Sequence, residues 1–378
     1  MAGNCTTLGR GPAMTPPRHV IVCGAGVVGA SVAYFLARRG VRVTVVERTG
    51  VACAASGKSG GFLALDWCDN TPVEGLARAS FALHATLARE LPADYGYRRM
   101  DTYVVAARET GRLAGEHRVP APRWIDGPTV VAGALGTAET TAQVHPARFT
   151  EALVVGARAA GAVVLSGAVE AVTVREGTAR GVVVGGRTLE ADAVVLALGP
   201  WTGRVGGVRL PRVHGLKGYS VTLAAPDVPA HALFMDYRTA DGQALEPEII
   251  PRPDGTVYVC GMADRQPLPE SAEGVLVSED DCAVLARAAG RVSAALAAAA
   301  VTRRQACYRP VTDDGIPLIG AVPGASGAYV ATGHGPWGML NAPATGLALA
   351  ELITDGAARV VDLEPFDPAR LAAVRRRV

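Results

Sequence analysis

The sequence predicts an α/β chain in which a Rossmann-type dinucleotide-binding domain, assembled from separated segments, is joined to an antiparallel-sheet substrate domain. Three observations predict it. His19–Cys23 and Val41–Glu47 are short apolar runs bracketing a helical pattern that opens on Gly24-Ala-Gly-Val-Val-Gly29. Val163–Leu198 breaks into short strands separated by glycine turns. From Ala306 onward the chain returns to glycine-rich motifs, and no low-complexity linker divides it.

The elements follow in order. After Cys23 the helix carries Val27, Val28, Ala33 and Leu36 at helical spacing and stops at Gly40, so this is one right-handed βαβ unit. Val51–Ala64 is rich in small residues, which suits a loop passing close beside a ligand. Helices are expected over Val73–Leu91 and Pro146–Ala160, with an alternating strand over Arg98–Ala107 between them. Gly111–Thr140 is dense in glycine and proline and reads as a substrate-domain excursion. Leu216–Gly261 alternates again, and Ser278 with Asp281 caps an alanine-rich helix. The last motif, Ala328 to Ile353, reads strand, loop, helix. Residues 18–97, 145–215 and 305–378 are therefore expected to form the cofactor domain, 98–144 and 216–304 the substrate domain, and 1–17 a loose tail.

The glycine motif carries its own chemistry. Gly24 permits the tight turn, Gly26 lets backbone approach a pyrophosphate, and Gly29 allows close helix-to-strand packing, while Val27 and Val28 offer N–H groups at the positive end of the helix dipole. Glu47, at the tip of the second strand beside Arg48, can accept hydrogen bonds from ribose hydroxyls, and its charge would repel a 2′-phosphate. The fingerprint alone does not separate NAD from FAD.

Composition narrows the classes. With 378 residues, 49% of them hydrophobic, the chain can bury two joined cores. A formal charge of +2, with arginines spread along the chain, leaves no basic stripe for nucleic acid. The seven cysteines are scattered without a CxxC pair, which argues for a reducing compartment and against structural zinc. The first 17 residues lack a signal-peptide core and no membrane-length apolar run occurs, so a cytoplasmic protein is expected. Only Lys58 and Lys217 are lysines, both beside glycines, among 37 basic residues.

Four motifs in order, ASGKSGGF, VVLALGPWTG, CYRPVTDDGIPLIG and GHGPWGMLNAPATG, resemble the glycine oxidase, D-amino acid oxidase and sarcosine oxidase superfamily from Arg18 to about Asp355. The resemblance implies FAD. It places Ala55, Ser56, Lys58, Ser59, Gly60 and Gly61 along the pyrophosphate and flavin, and the Val172 backbone near the adenine. Ala197, Gly199 and Trp201 would close the cleft. Gly333, Gly335, Pro336, Trp337, Gly338 and Met339 would run under the pyrimidine side of the flavin, where N–H groups opening a helix stabilise negative charge.

The same resemblance implies oxidation of a small amino or imino acid at its C–N bond, with O2 as final acceptor. Arg309 then stands where the family binds a substrate carboxylate, unless Asp313 or Asp314 engages it instead. Cys307 precedes Asp314 by the spacing at which sarcosine oxidases attach FAD covalently, yet the arginine of the non-covalent branch follows it, so the motif is a hybrid. Non-covalent FAD is the expectation, with a link at Cys307 as the variant. Lys217 and Lys58 are candidates for promoting reoxidation by O2. Tyr308 and His334 stand at the reacting end, Tyr219, Tyr237 and Tyr258 are further candidates for the cavity, and Trp67, Trp201 and Trp337 for its wall. No metal site is expected, and substrate identity and oligomeric state stay open. The competing readings are a dehydrogenase of the same fold, a biosynthetic oxidase of a cyclic imino acid, an NAD-linked enzyme, and an FAD-containing assembly or binding factor without turnover.

Overall fold

The computed structural model describes residues 16–113 and 115–374, so most of the expected tail lies outside the described residues. Strand β1 (His19–Cys23), helix α1 (Val27–Arg38) and strand β2 (Arg42–Glu47) form the expected βαβ unit. Gly40 ends the helix at φ +78°, a left-handed position that costs a residue with Cβ. β1 and β2 lie centrally in a six-stranded sheet. Its order is Leu318–Ala321, Ala328–Thr332, Ala193–Leu196, β1, β2 and Val163–Ser166, parallel except for the antiparallel Leu318–Ala321 edge.

Such a sheet must be covered on both faces. On one face α1 packs between helices Gly338–Asp355 and Pro146–Ala159, with Glu74–Glu90 against the former. The approach is close: a Cβ on Gly346 would lie 2.6 Å from the Cβ of Ser31. On the other face lies the meander Val169–Arg175, Thr178–Val184 and Arg187–Glu190.

The second large sheet runs Val301–Thr312, Val213–Ala224, Thr256–Asp264, Glu248–Pro251, His231–Arg238, Asp101–Arg108, Val130–Gly136. All of these neighbours are antiparallel except His231–Arg238 with Asp101–Arg108. Helix Glu279–Gly290 covers one face, and Ser278 Oγ accepts from the Asp281 N–H at 3.2 Å as its cap. The boundary expected at residue 305 cuts through Val301–Thr312, which pairs along its length with Val213–Ala224. The Cys307–Arg309 motif therefore stands on the edge strand of this second sheet. Its sequence looked continuous with the following cofactor-domain motif because one strand passes directly from one sheet towards the other.

Strand alternation on this sheet decides which side chains meet the cofactor domain. Val257 and Val259 point into the core beneath Glu279–Gly290, whereas Tyr258 and Cys260 face the opposite way.

Candidate active site

A cavity of about 440 Å³ runs between the two sheets. One end is the Gly24–Gly26 turn with Glu47 and Arg48; the middle is Ala52–Ser56, Ser59–Gly61 and Ala197–Trp201; the far end joins His334–Met339 to Cys307 and Arg309. Gly24 and Gly29 cannot be replaced without collision. Gly24 has φ +101° and its added Cβ would lie 2.5 Å from the Ala197 carbonyl oxygen, while one on Gly29 would lie 2.0 Å from the Gly24 oxygen. Gly29 itself is packing rather than lining, as its role in the motif requires. At the start of α1 the Val27 N–H donates to Ser56 Oγ at 2.9 Å.

Glu47 ties the turn together. Its Oε2 accepts from Ala25 N–H at 2.8 Å and its Oε1 from Thr49 N–H at 2.8 Å, while the carboxylate remains on the cavity wall. Arg48 donates to the Glu270 carbonyl at 3.3 Å, and Trp201 Nε1 to the Pro269 carbonyl at 2.8 Å, so both hold the substrate-side loop over the cleft.

The residues present suit an extended dinucleotide. Ser59 Oγ and His334 Nδ1 line the cavity as buried polar atoms without a hydrogen-bond partner among the described residues, and the glycine turn leaves room at a helix N-terminus for a pyrophosphate. His334 Nε2 lies 3.0 Å from Thr345 Oγ1, and burial holds the imidazole down to about 4, so it is neutral at physiological pH.

At the reacting end Arg309 crosses Gly218 on the neighbouring strand: a Cβ there would lie 3.5 Å from Arg309 Nη2. The two acidic neighbours are engaged elsewhere, Asp313 with His214 at 2.5 Å and Asp314 with Arg370 at 2.9 Å. Arg309 forms no ion pair among the described residues. Burial works against its charge, but Cys260, Tyr258, Glu248 and Cys307 outweigh that and hold its pKa above the ordinary value. Burial raises the Cys307 thiol, partly opposed by Arg309 and Lys58, so the sulfur stays protonated.

Several expected residues stand apart from the cavity. Tyr308 and Lys217 are cross-strand partners, and alternation turns both away from the face that carries Cys307 and Arg309. Tyr308 OH donates to the Pro267 carbonyl at 2.8 Å, and Lys217, only 2% exposed, donates to Gln266 Oε1 at 2.6 Å and lies over the Tyr219 ring. Lys58 donates to the Ala306 carbonyl at 3.2 Å. Val172 is a buried meander residue whose N–H donates to Gly206 at 2.9 Å; Gly167, Ala168 and Val169 line that end of the cavity instead. Gly333, at φ +82°, sets the turn into His334–Met339 without lining the cavity. Tyr237 is buried in the second core, whereas Tyr258, Trp67, Trp201 and Trp337 do line the cavity.

Sequence reasoning missed Glu248, Ile250, Cys260, Phe62 and Phe234, all on the cavity wall. Phe62, Trp67 and Phe234 form an aromatic wall with centroids 4.7–5.1 Å apart. The available signal for Glu248 was a carboxylate opening the apolar run Ile249-Ile250 within an alternating segment. Burial raises its pKa against the opposing pull of Arg309, and Cys260 Sγ lies 3.5 Å from its Oε2.

Residues 19–352 match the model of the DAO family, described as FAD dependent oxidoreductase. The chain belongs to this family. A Schizosaccharomyces pombe protein whose name specifies only an oxidoreductase is 32% identical over 94% of this chain and 99% of its own length. Glycine oxidase of Geobacillus kaustophilus is 30% identical over 94% of this chain and 98% of its own. A crystal structure of glycine oxidase from that organism superposes with a TM-score of 0.73 at 25% identity, covering 94% of this chain and 99% of that one. L-proline dehydrogenase from P. horikoshii shares the fold, with a TM-score of 0.75 at 18% identity over 96% and 99% of the two chains. No helix among the described residues is long and apolar enough to cross a membrane, and no metal-binding cluster occurs among them.

Proposed function

We propose that this FAD-dependent oxidoreductase oxidises a small α-amino or α-imino acid at its C–N bond, giving an imine, and that O2 reoxidises the flavin to yield hydrogen peroxide. The observation that carries the reading is Arg309: a guanidinium without a carboxylate partner, facing the far end of a dinucleotide-shaped cavity and walled by aromatic rings. A half-buried guanidinium on the cavity wall with no ion-pair partner keeps its fork free for a ligand, and a substrate carboxylate fits it through two parallel hydrogen bonds.

Bound there, FAD would lie along Gly24–Gly29, Glu47 and Ala55–Gly61, with His334–Met339 beside its ring, and would accept the two electrons. The chain's own work is positional. Arg309 grips the carboxylate, the wall of Phe62, Trp67, Phe234 and Trp337 confines the substituent and excludes water, and the cross-strand geometry at Gly218 sets where the guanidinium ends. Attachment of the flavin is non-covalent in this reading, because the Cys307 thiol stays protonated.

A dehydrogenase using another electron acceptor is the second reading, favoured by one observation: neither lysine lines the cavity, so the positive charge at its wall near the reacting end is Arg309, already committed to substrate. Purified protein is given candidate amino and imino acids under air. Flavin bleaching with stoichiometric peroxide supports the oxidase; bleaching without peroxide supports the dehydrogenase. Acid precipitation tests the linkage: a colourless pellet is expected, and a yellow one overturns non-covalent binding.

A further inference from the structure

The far end of the cavity carries opposite charges that do not neutralise each other. Glu248 and Arg309 both line it, each is felt electrostatically by the other, and no ion pair joins them. Glu248 stands on Glu248–Pro251, three strands from Arg309 across the sheet, and Arg309 reaches towards it over the gap left by Gly218. The neighbours that face Glu248 are Cys260, Tyr258, Ile250 and Phe234. Of these only the Cys260 thiol touches a carboxylate oxygen, at 3.5 Å, a weak donor at long range. A carboxyl group in such surroundings is expensive to keep and does nothing for the sheet, whose register at this position needs only an apolar residue.

We infer that Glu248 is the carboxylate that receives the substrate's amine, so that a zwitterion is held by its two ends between Arg309 and Glu248. The inference rests on the reading that a substrate carboxylate sits on Arg309, and deepens it by assigning the other pole. It explains why the two residues stay apart: a direct ion pair would close the space that a zwitterion's two charges must enter. Burial raises the carboxyl's affinity for a proton, so Glu248 can also hold the proton given up by the ammonium group. One N–H bond of the ammonium breaks and one O–H bond forms on Glu248, leaving the amine neutral, the form from which a Cα–H bond is oxidised. The carboxyl then passes its proton to water when product leaves.

The test uses two ligands of nearly equal shape that cannot be oxidised, because neither has a Cα–H: 2-aminoisobutyrate and pivalate, in which a methyl group replaces the ammonium. Binding is measured by calorimetry on the flavin-loaded protein and on Glu248→Gln and Arg309→Met, each checked for flavin content and helicity. Glu248→Gln is expected to weaken 2-aminoisobutyrate at least tenfold while leaving pivalate unchanged or tighter, since removal of a negative charge favours an anion. Arg309→Met should weaken both. Equal loss of both ligands in Glu248→Gln, or loss of neither, overturns the assignment of Glu248 while leaving Arg309 standing. If pivalate binding ignores Arg309→Met, or the wild type binds neither acid, the carboxylate reading fails and this inference falls with it.

Discussion

Replacing Arg309 by methionine separates function from stability. The side chain keeps an apolar stem across Gly218 but is shorter and loses the fork. A hydrogen bond from a charged donor contributes about 1.5–3 kcal/mol, so two to one carboxylate, less the cost of stripping water from both groups, amount to roughly 3–4 kcal/mol. That corresponds to a loss of about 10²–10³ in kcat/KM. In the free protein the guanidinium has no ion-pair partner among the described residues, so its removal breaks no ion pair, and Tm should change little. The assay pairs steady-state kinetics, normalised to bound flavin, with thermal unfolding of the same preparations. A fall in Tm of several degrees with kcat/KM lost only in proportion to flavin would show that Arg309 serves the sheet rather than a ligand, and would refute the reasoning.

The glycine turn, the buried lysine and the buried histidines give further expectations. Gly26→Ala, whose Cβ would meet only Ser56 Oγ at 3.1 Å, should fold but hold flavin weakly, whereas Gly29→Ala, facing a backbone oxygen at 2.0 Å, should fail to accumulate; flavin absorbance per soluble protein reads both. Lys217→Met should leave the rate of flavin reoxidation by O2 within a factor of two, because the ammonium lies on the far side of the sheet; stopped-flow mixing with oxygenated buffer decides, and a tenfold slowing would place it in the reaction. His84 and His334 are both held down to about 4 by burial. The unfolded chain therefore binds more protons than the folded one between pH 6.5 and 4, and stability is full above that window and lost as pH falls through it. The loss reaches on the order of 3 kcal/mol per histidine. Urea unfolding at pH 7.5 and pH 5 measures it, and equal midpoints would count against neutral buried imidazoles.

The glycine-turn end of the cavity was legible in the sequence because its geometry is local. Gly24, Gly26, Gly29 and Glu47 lie within one βαβ unit, and close packing demands glycine at Gly24 and Gly29. The Arg309 end was not. Arg309 was visible as a residue type, but its freedom depends on His214 and Arg370 taking Asp313 and Asp314, two contacts that join distant segments. Tyr308 and Lys217 look as well placed as Arg309 in one dimension, and only strand alternation turns them away. Val172 itself does not line the cavity, whose wall there is formed by Gly167, Ala168 and Val169 at the start of the meander. Glu248 had no motif at all: its position is made by four strands brought together from across the chain.

The helix that follows His334–Met339 is supported by side chains from a different helix. Pro343 lies inside Gly338–Asp355 and has no N–H to give to the Met339 carbonyl, and the Ala344 N–H donates to Ser80 Oγ at 3.0 Å. His84, one turn beyond Ser80 on Glu74–Glu90, places Nε2 3.0 Å from the Met339 oxygen and 3.2 Å from that of Leu340. Both partners are acceptors, so the proton sits on Nε2. Two side chains four residues apart thus meet backbone groups around Pro343 in the first turns of the helix that follows the cavity loop. His84→Phe would keep most of the volume and leave two buried carbonyls unpaired, a cost of roughly 1–3 kcal/mol each before the helix relaxes. Faster flavin loss on dilution is the expected result, with kcat/KM per bound flavin close to wild type, since His84 touches the wall residue Met339 from behind and does not itself line the cavity. If flavin retention were unchanged while stability fell, these contacts would serve the core alone and the loop would be held by its own glycines.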